Sequence, residues 1–383
     1  MPDTLPDTLA NPALLPSGLR DLLPPDAETE AAAVEVVMGV FSAHGYQRIK
    51  PPMLEFEDGL LAGSGAATSD QIFRLMDPDS HRMMGFRADI TPQVARIATT
   101  RLGEAPRPLR LSYAGQCLRV RGSQIAPDRQ LAQAGIELIG CDSLAADAEM
   151  VLVAAEALAA LGLERVSFDL TLPRLAPTLL DEAGFNGPAR HALLRALDRK
   201  DVASVKQYGG RLAQTLTELL LATGLAAPAL TRLESLTLPP AAAALCQRLA
   251  ETVRAIQARA PSLKLTIDPL EFRDLPYHTG VCTAVYVLGR HEVLGRGGRY
   301  ICGEDEPATG LTLYPDAILR ATTPPAPRPR LFVPVGQDHA ASARLRAEGY
   351  ATVAALDPVE DPLAEAHRLR CTHILRDGIA APV

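Results

Sequence analysis

The stretch QAGIEL, Gln133 to Leu138, alternates polar and apolar side chains with a period of two. A helix would scatter these residues around its axis. A strand puts Gln133, Gly135 and Glu137 on one face and Ala134, Ile136 and Leu138 on the other. The apolar face must meet a core. On the polar face Gly135 leaves a bare patch of backbone between an amide and a carboxylate. Two readings stay open for that face: an ordinary solvated side of an antiparallel sheet, or the floor of a small-ligand site. The segment CLRVRG ahead of it carries Arg119 and Arg121. If the two segments form a hairpin, Arg119 could simply pair with Glu137 across it.

The flanking sequence sets the architecture. Between residues 26 and 44, Ala33, Val36, Val37, Val40 and Phe41 form a helical stripe that Gly45 ends. YQRIKPPMLEF reads as one extended strand, and Pro51 and Pro52, which cannot donate ladder hydrogen bonds, place it at a sheet edge or subunit boundary. Residues 71 to 87 read as a hairpin around DPDS. Thr91-Pro92 then opens a helix, with Thr91 as its N-cap. A helix from Ser143 to Leu161 precedes VSFDLTL, which alternates as a strand. About 174–262 is rich in Ala and Leu at helical spacing and reads as a helical insertion. Strand signals return from Leu263 to Tyr300, and TGLTLYPDAILRA runs from strand into helix. The expected division is a core over 1–322, a Pro-rich linker over 323–330, and a small β-α-β-α-β domain over 331–383.

Composition excludes several functions. The chain has 383 residues, 47% of them hydrophobic, so it fills more than one core. A net charge of -7, 4% aromatics and no Trp argue against a broad nucleic-acid face. Six cysteines without metal-ligand spacing predict neither a metal site nor a disulfide framework, as in reduced cytosol. MPDTLPDTLANPALLP lacks the basic and apolar runs of a signal peptide, and no segment is apolar enough to span a membrane, so a cytoplasmic protein is expected. No G-x-x-x-x-G-K-[ST] loop is present; no cofactor and no catalytic residue of this chain is predicted.

Taken in order, the segments resemble the class II aminoacyl-tRNA synthetase core, specifically histidyl-tRNA synthetase and its non-synthetase paralogue, the ATP phosphoribosyltransferase regulatory subunit. LPSGLRDLLPPDA resembles that family's opening segment, GYQRIKPPMLE its motif 1, and FRADITPQVAR the segment that holds the amino acid's ammonium group. CLRVRGSQIAPDRQLAQAGIE resembles motif 2, RDLPYHTG the histidine-specific arginine loop, and GGRY with GLTLYPDAILR stands in the place of motif 3. The resemblance implies an α+β fold, an antiparallel sheet flanked by helices, and a histidine pocket. By it, Asp89 and Thr91 would bind the amino group and Arg119 the carboxylate. Gln133 and Glu137 would face the amino group and side chain, and Arg273 and Tyr277 would close the pocket. A zwitterion needs such anionic, cationic and amide partners on a rigid sheet.

The same resemblance implies a non-catalytic regulatory subunit. It would act with a short catalytic ATP phosphoribosyltransferase in a hetero-oligomer, a hetero-octamer, in the first step of histidine biosynthesis. Histidine would be the feedback effector, and motif 1 would form a homodimer. The departures from the synthetase pattern favour this over a working synthetase or an amino-acid sensor with another partner. Arg121 stands where an acid reads adenine, and Asp316-Ala317 where Glu-Arg grips the γ-phosphate. Two lost charge-assisted hydrogen bonds, roughly 1.5 to 3 kcal/mol each, would weaken a nucleotide by about 10² to 10⁴. Pro276 and His278 replace an Asp and a Tyr of the arginine loop. The C-terminal 331–383 has five Arg against seven Asp or Glu, so tRNA is not an expected partner.

Overall fold

In the computed structural model, whose described residues are 14–122, 127–272, 277–323 and 326–383, QAGIEL lies in the ten-residue strand Gln130–Ile139. That strand pairs antiparallel with Leu109–Leu118, and the register sets Tyr113 opposite Gly135 and Leu111 opposite Glu137. The hairpin belongs to a nine-stranded sheet. From one edge the order is Gln47–Arg48, Leu109–Leu118, Gln130–Ile139, Glu306–Leu313, Val293–Cys302, Cys282–Val287, Val166–Thr171, Lys264–Asp268 and Gly224–Leu225. The pairings are antiparallel except for Gln47–Arg48 with Leu109–Leu118 and Val166–Thr171 with Lys264–Asp268, which are parallel.

Ala134, Ile136 and Leu138 point into the core, as the alternation requires. They join Phe168, Leu170, Val285, Leu311 and Leu313 in one buried cluster. Three helices supply its other wall: Asp26–Ala43, Leu144–Ala160 and Pro240–Arg259. An ion network ties two of them to the sheet. The buried Arg299 meets Asp147 at 2.7 Å, and Arg248 meets the same carboxylate at 2.9 Å. Removing one member of such a buried pair costs about 3 to 5 kcal/mol.

The stretch 174–262 is helical, with helices Leu175–Glu182, Gly187–Asp198, Val202–Tyr208, Ala213–Leu221, Ala226–Ser235 and Pro240–Arg259. It does not form a lobe of its own. Leu193, Leu197, Leu216 and Leu219 pack into the same cluster as the sheet, and Gly224–Leu225 adds the sheet's far edge strand.

Two local expectations fail for physical reasons. YQRIKPPMLEF is two strands rather than one: Gln47–Arg48 joins the large sheet, while Leu54–Phe56 pairs with Met83–Phe86 in a three-stranded sheet completed by Arg74–Met76. Pro51 and Pro52, without N–H groups, mark the break. Thr91 is the first residue of the helix Thr91–Thr99 and not its cap, because its hydroxyl is engaged elsewhere. Asp89 serves the helix start instead, accepting the Thr91 N–H at 3.2 Å.

The chain divides into two units, Met1–Thr323 and Pro324–Val383. In the second, parallel strands Ala351–Ala354, Arg330–Val333 and His373–Arg376 lie side by side in that order, with helices His339–Ala347 and Pro362–Arg368 between them in sequence. A fourth strand, Ile379–Pro382, pairs antiparallel with His373–Arg376 and was not expected from sequence. Among the described residues no helix is long and apolar enough to cross a membrane.

Candidate functional site

The polar face of the hairpin is the floor of a cavity of about 650 Å³. Across four neighbouring strands, Tyr113, Gly135, Thr312 and Arg296 stand in one register row. Glu137, Gly310 and Gly298 form the next. The face is therefore a cavity floor rather than an open sheet surface, with Glu137 and Gln133 both buried. Nor is the backbone at Gly135 bare: the Tyr113 hydroxyl lies over it, so closely that any side chain at 135 would overlap the ring.

Glu137 sits at the centre, 1% exposed. Its Oε1 accepts from the Thr91 hydroxyl at 3.0 Å and the Tyr113 hydroxyl at 3.4 Å, and its Oε2 accepts from the Tyr300 hydroxyl at 3.0 Å. Thr312 meets Tyr113 at 2.7 Å and completes the hydroxyl cradle. Gly310 is required beside it, since a methyl group there would overlap the carboxylate. Burial pushes the Glu137 carboxyl up to about 8, against the pull of the Tyr300 and Thr91 hydrogen bonds, and the Asp89 charge adds to the rise. Burial thus favours the protonated form of Glu137 at neutral pH. An entering cation would displace that proton.

Pairing of Arg119 with Glu137 is excluded by the register. Arg119 lies beyond the end of its strand, where its N–H donates to Arg129 O at 2.7 Å, far along the hairpin from Glu137. Its guanidinium turns back along the cavity wall, with Nε donating to Ala88 O at 3.4 Å.

Gln133 takes a different role from the one expected. Its Oε1 accepts from the backbone N–H of Ile90 at 3.1 Å and from Cys117 Sγ at 3.2 Å. A backbone N–H can only donate, which fixes the amide's orientation. Gln133 therefore turns its NH₂ to the cavity and suits a carboxylate, not an ammonium group. Asp89, buried at the same end, and Glu137 are left as the anionic partners.

Asp89, Thr91, Arg119, Gln133, Glu137 and Tyr277 all line this one cavity. Arg273 and Pro276 lie outside the described residues. Tyr277 forms an aromatic wall, stacked on His278 at 4.5 Å between ring centres and edge-on to Tyr300 at 6.0 Å. Sequence reasoning missed Tyr113 and Thr312, and the hydroxyl role of Tyr300. A fixed hairpin register would have found the first of them, because closing the hairpin at Leu118 and Gln130 sets Tyr113 opposite Gly135.

The opposite end of the cavity is lined by His291, Glu292, Asp316, Ala317 and Arg320. Its charges are already matched. Asp316 accepts the Ala132 N–H at 2.9 Å and faces Arg20 at 3.7 Å. Arg320 forks onto Glu292, with Nε to Oε1 at 3.0 Å, and lies 3.8 Å from Asp128. Ala317 is buried and has no group to offer a phosphate. Arg121 is exposed and lies outside the lining. No cluster of His, Cys, Asp and Glu among the described residues is arranged to hold a metal ion.

Sheet and motif order define a class II synthetase-like body. A family model described as histidyl-tRNA synthetase matches residues 18–318. The ATP phosphoribosyltransferase regulatory subunit of Paramagnetospirillum magneticum is 54% identical over 371 residues, covering 97% of this chain and 98% of its own. That of Gluconobacter oxydans is also 54% identical over 371 residues, covering 97% of each. A solved ATP phosphoribosyltransferase regulatory subunit/histidyl-tRNA synthetase from Bacillus halodurans superposes with a TM-score of 0.78 at 23% identity, over 92% of this chain and 96% of that one, a likeness of fold. The chain belongs to the ATP phosphoribosyltransferase regulatory subunits, within the histidyl-tRNA synthetase-like family.

Proposed function

We propose that this chain is a non-catalytic regulatory subunit that binds histidine in the cavity and controls a short catalytic ATP phosphoribosyltransferase subunit within a cytoplasmic hetero-oligomer, a hetero-octamer built on homodimers formed through motif 1. One observation carries the reading. The amino-acid end presents the acids Glu137 and Asp89, the Gln133 amide and Arg119 to the cavity, whereas the nucleotide end is closed on its own ion pairs. An amino acid's ammonium group suits Asp89 and Glu137, and its carboxylate suits Gln133 and Arg119. The side chain then lies against the Tyr277, His278 and Tyr300 wall. An imidazole there can donate a ring N–H to a carboxylate. Feedback follows if histidine binds the two states of the assembly unequally, by about 1 to 3 kcal/mol.

Reconstitution tests this. The short catalytic subunit should form phosphoribosyl-ATP only when this chain is added, and histidine should inhibit the mixture. A chain that neither assembles with that subunit nor binds histidine by calorimetry would overturn the proposal.

A further inference from the structure

We propose that Arg87 is a positioning residue that couples occupancy of the amino-acid cavity to the surface segment Pro51–Phe56; this rests on the amino-acid reading of the cavity. Arg87 does not line the cavity. It is 5% exposed, and its bonds run to three separate segments. Its Nε donates to Gln116 O at 2.8 Å, on the hairpin strand. Its Nη1 donates to Pro51 O at 3.1 Å and to Gln93 Oε1 at 3.2 Å, and Gln93 in turn donates to Pro52 O at 2.7 Å. The backbone adds Arg87 N–H to Met53 O and Leu118 N–H to Arg87 O, both at 3.0 Å.

These acceptors are carbonyls and an amide; none is a carboxylate. A buried guanidinium whose hydrogen-bond acceptors among the described residues are carbonyls and an amide depends on those acceptors staying in place, because each missing one leaves a buried charge under-satisfied. The segments around it must therefore move together or not at all.

On the inner side the linkage reaches the ligand groups directly. Two and four residues after Arg87, Asp89 and Thr91 enter the cavity, and Ile90 between them is fastened to Gln133. Gln93 lies on the helix that begins at Thr91. On the outer side Pro51 and Pro52 have no N–H, so their carbonyl groups are the fastening points, and Arg87 and Gln93 hold both. Beyond them Met53 and Phe56 are 41% and 36% exposed. A ligand that draws Asp89 and Thr91 inward thus acts on the surface segment through the Arg87 and Gln93 side chains, beside the Arg96–Glu55 ion pair.

Gly115 offers an independent handle. The Arg87 guanidinium lies against it, where any side chain would overlap. Gly115→Ala displaces the guanidinium and keeps its charge, while Arg87→Lys keeps a charge and loses the fork. The test is amide hydrogen exchange of the full chain with and without saturating histidine, beside calorimetry on the same samples. In the unsubstituted chain histidine should slow exchange over residues 53–56 by ~10-fold, within the usual range for coupled sites. In Arg87→Lys and in Gly115→Ala histidine should still bind, with that slowing reduced below ~2-fold. Histidine binding to the unsubstituted chain without any change at 53–56 would overturn the inference and leave the amino-acid reading standing, even if neither variant folds. Full slowing in Arg87→Lys would overturn it too. No histidine binding by the unsubstituted chain would sink the amino-acid reading, and this inference with it.

Discussion

The two ends of one cavity have been treated in opposite ways. At the amino-acid end a carboxyl group is buried on a glycine-flattened floor, raised in pKa by that burial, and surrounded by hydroxyls. This arrangement is costly to the empty protein and becomes favourable when a cation arrives. At the nucleotide end, Asp316 and Arg320 have found partners within the chain, and Ala317 offers none. A polyphosphate there would have to break existing pairs and face the carboxylates of Glu292 and Asp316. The Glu137 end keeps polar groups turned to the cavity, whereas the Asp316 and Arg320 end has satisfied its charges within the chain.

The largest expected effect tests that contrast outright. Histidine-dependent pyrophosphate exchange should be at background for this chain, and Ala317→Arg should leave it there. The added guanidinium would meet Asp316 and Glu292 before it met a phosphate, and Arg121 would still stand in place of the adenine reader. Robust exchange by the unsubstituted chain would erase the distinction between the ends.

How much of this was legible in the sequence follows the same division. The faces of QAGIEL were readable because a period of two can place side chains only one way, and the apolar set did enter the core. What each polar residue does was not readable, because that depends on register and on chain from elsewhere. The Gln133 oxygen is not left for a ligand because the Ile90 N–H, distant in sequence, took it. Thr91 lost its cap role because Glu137 lay within reach of its hydroxyl and Asp89 could serve the helix start. The single strand drawn through Pro51 and Pro52 failed because local pattern does not reveal which sheet each half will join. The helical character of 174–262 was visible in its spacing. That its leucines would share the sheet's core was not.

The next effect in size concerns the floor. In Gly310→Ala the new methyl group overlaps the Glu137 carboxylate and forces it out of the hydroxyl cradle. A displaced carboxylate loses a charge-assisted contact with the ligand, worth about 1.5 to 3 kcal/mol, so histidine should bind ~10-fold to 100-fold more weakly. Calorimetry checks it. An unchanged affinity would mean that the carboxylate's placement is irrelevant to the ligand, and the amino-acid end would lose its centre.

Glu137→Gln should act more gently, and with a pH signature. In the folded protein burial favours a proton on Glu137 between its ordinary value of 4.5 and about 8, a proton the unfolded chain has released. Stability therefore falls as pH rises through that window, and the substitution should flatten this part of a melting-temperature profile. Binding runs the other way. A cationic ligand favours the ionised carboxylate, so histidine affinity should climb from pH 6 towards 8 in the unsubstituted chain. In Glu137→Gln the climb should vanish, leaving a deficit of ~10-fold at pH 8 and less at pH 6. Parallel profiles for both proteins would show that Glu137 does not sense the ligand.

The smallest effect is expected where the chain has already satisfied itself. Arg320 and Glu292 line the cavity and form a fork, yet both are partly exposed, at 42% and 34% of their side-chain surfaces. Pairs of this exposure contribute about 0 to 1 kcal/mol, since water and salt offset most of the attraction. Glu292→Ala should therefore shift the melting temperature by only a few degrees at most. It should leave histidine affinity within about twofold, because the amino-acid contacts lie on the other rows of the floor. A large loss of histidine binding in Glu292→Ala would mean that the amino acid extends into this end, and that the boundary between the two ends has been drawn in the wrong place.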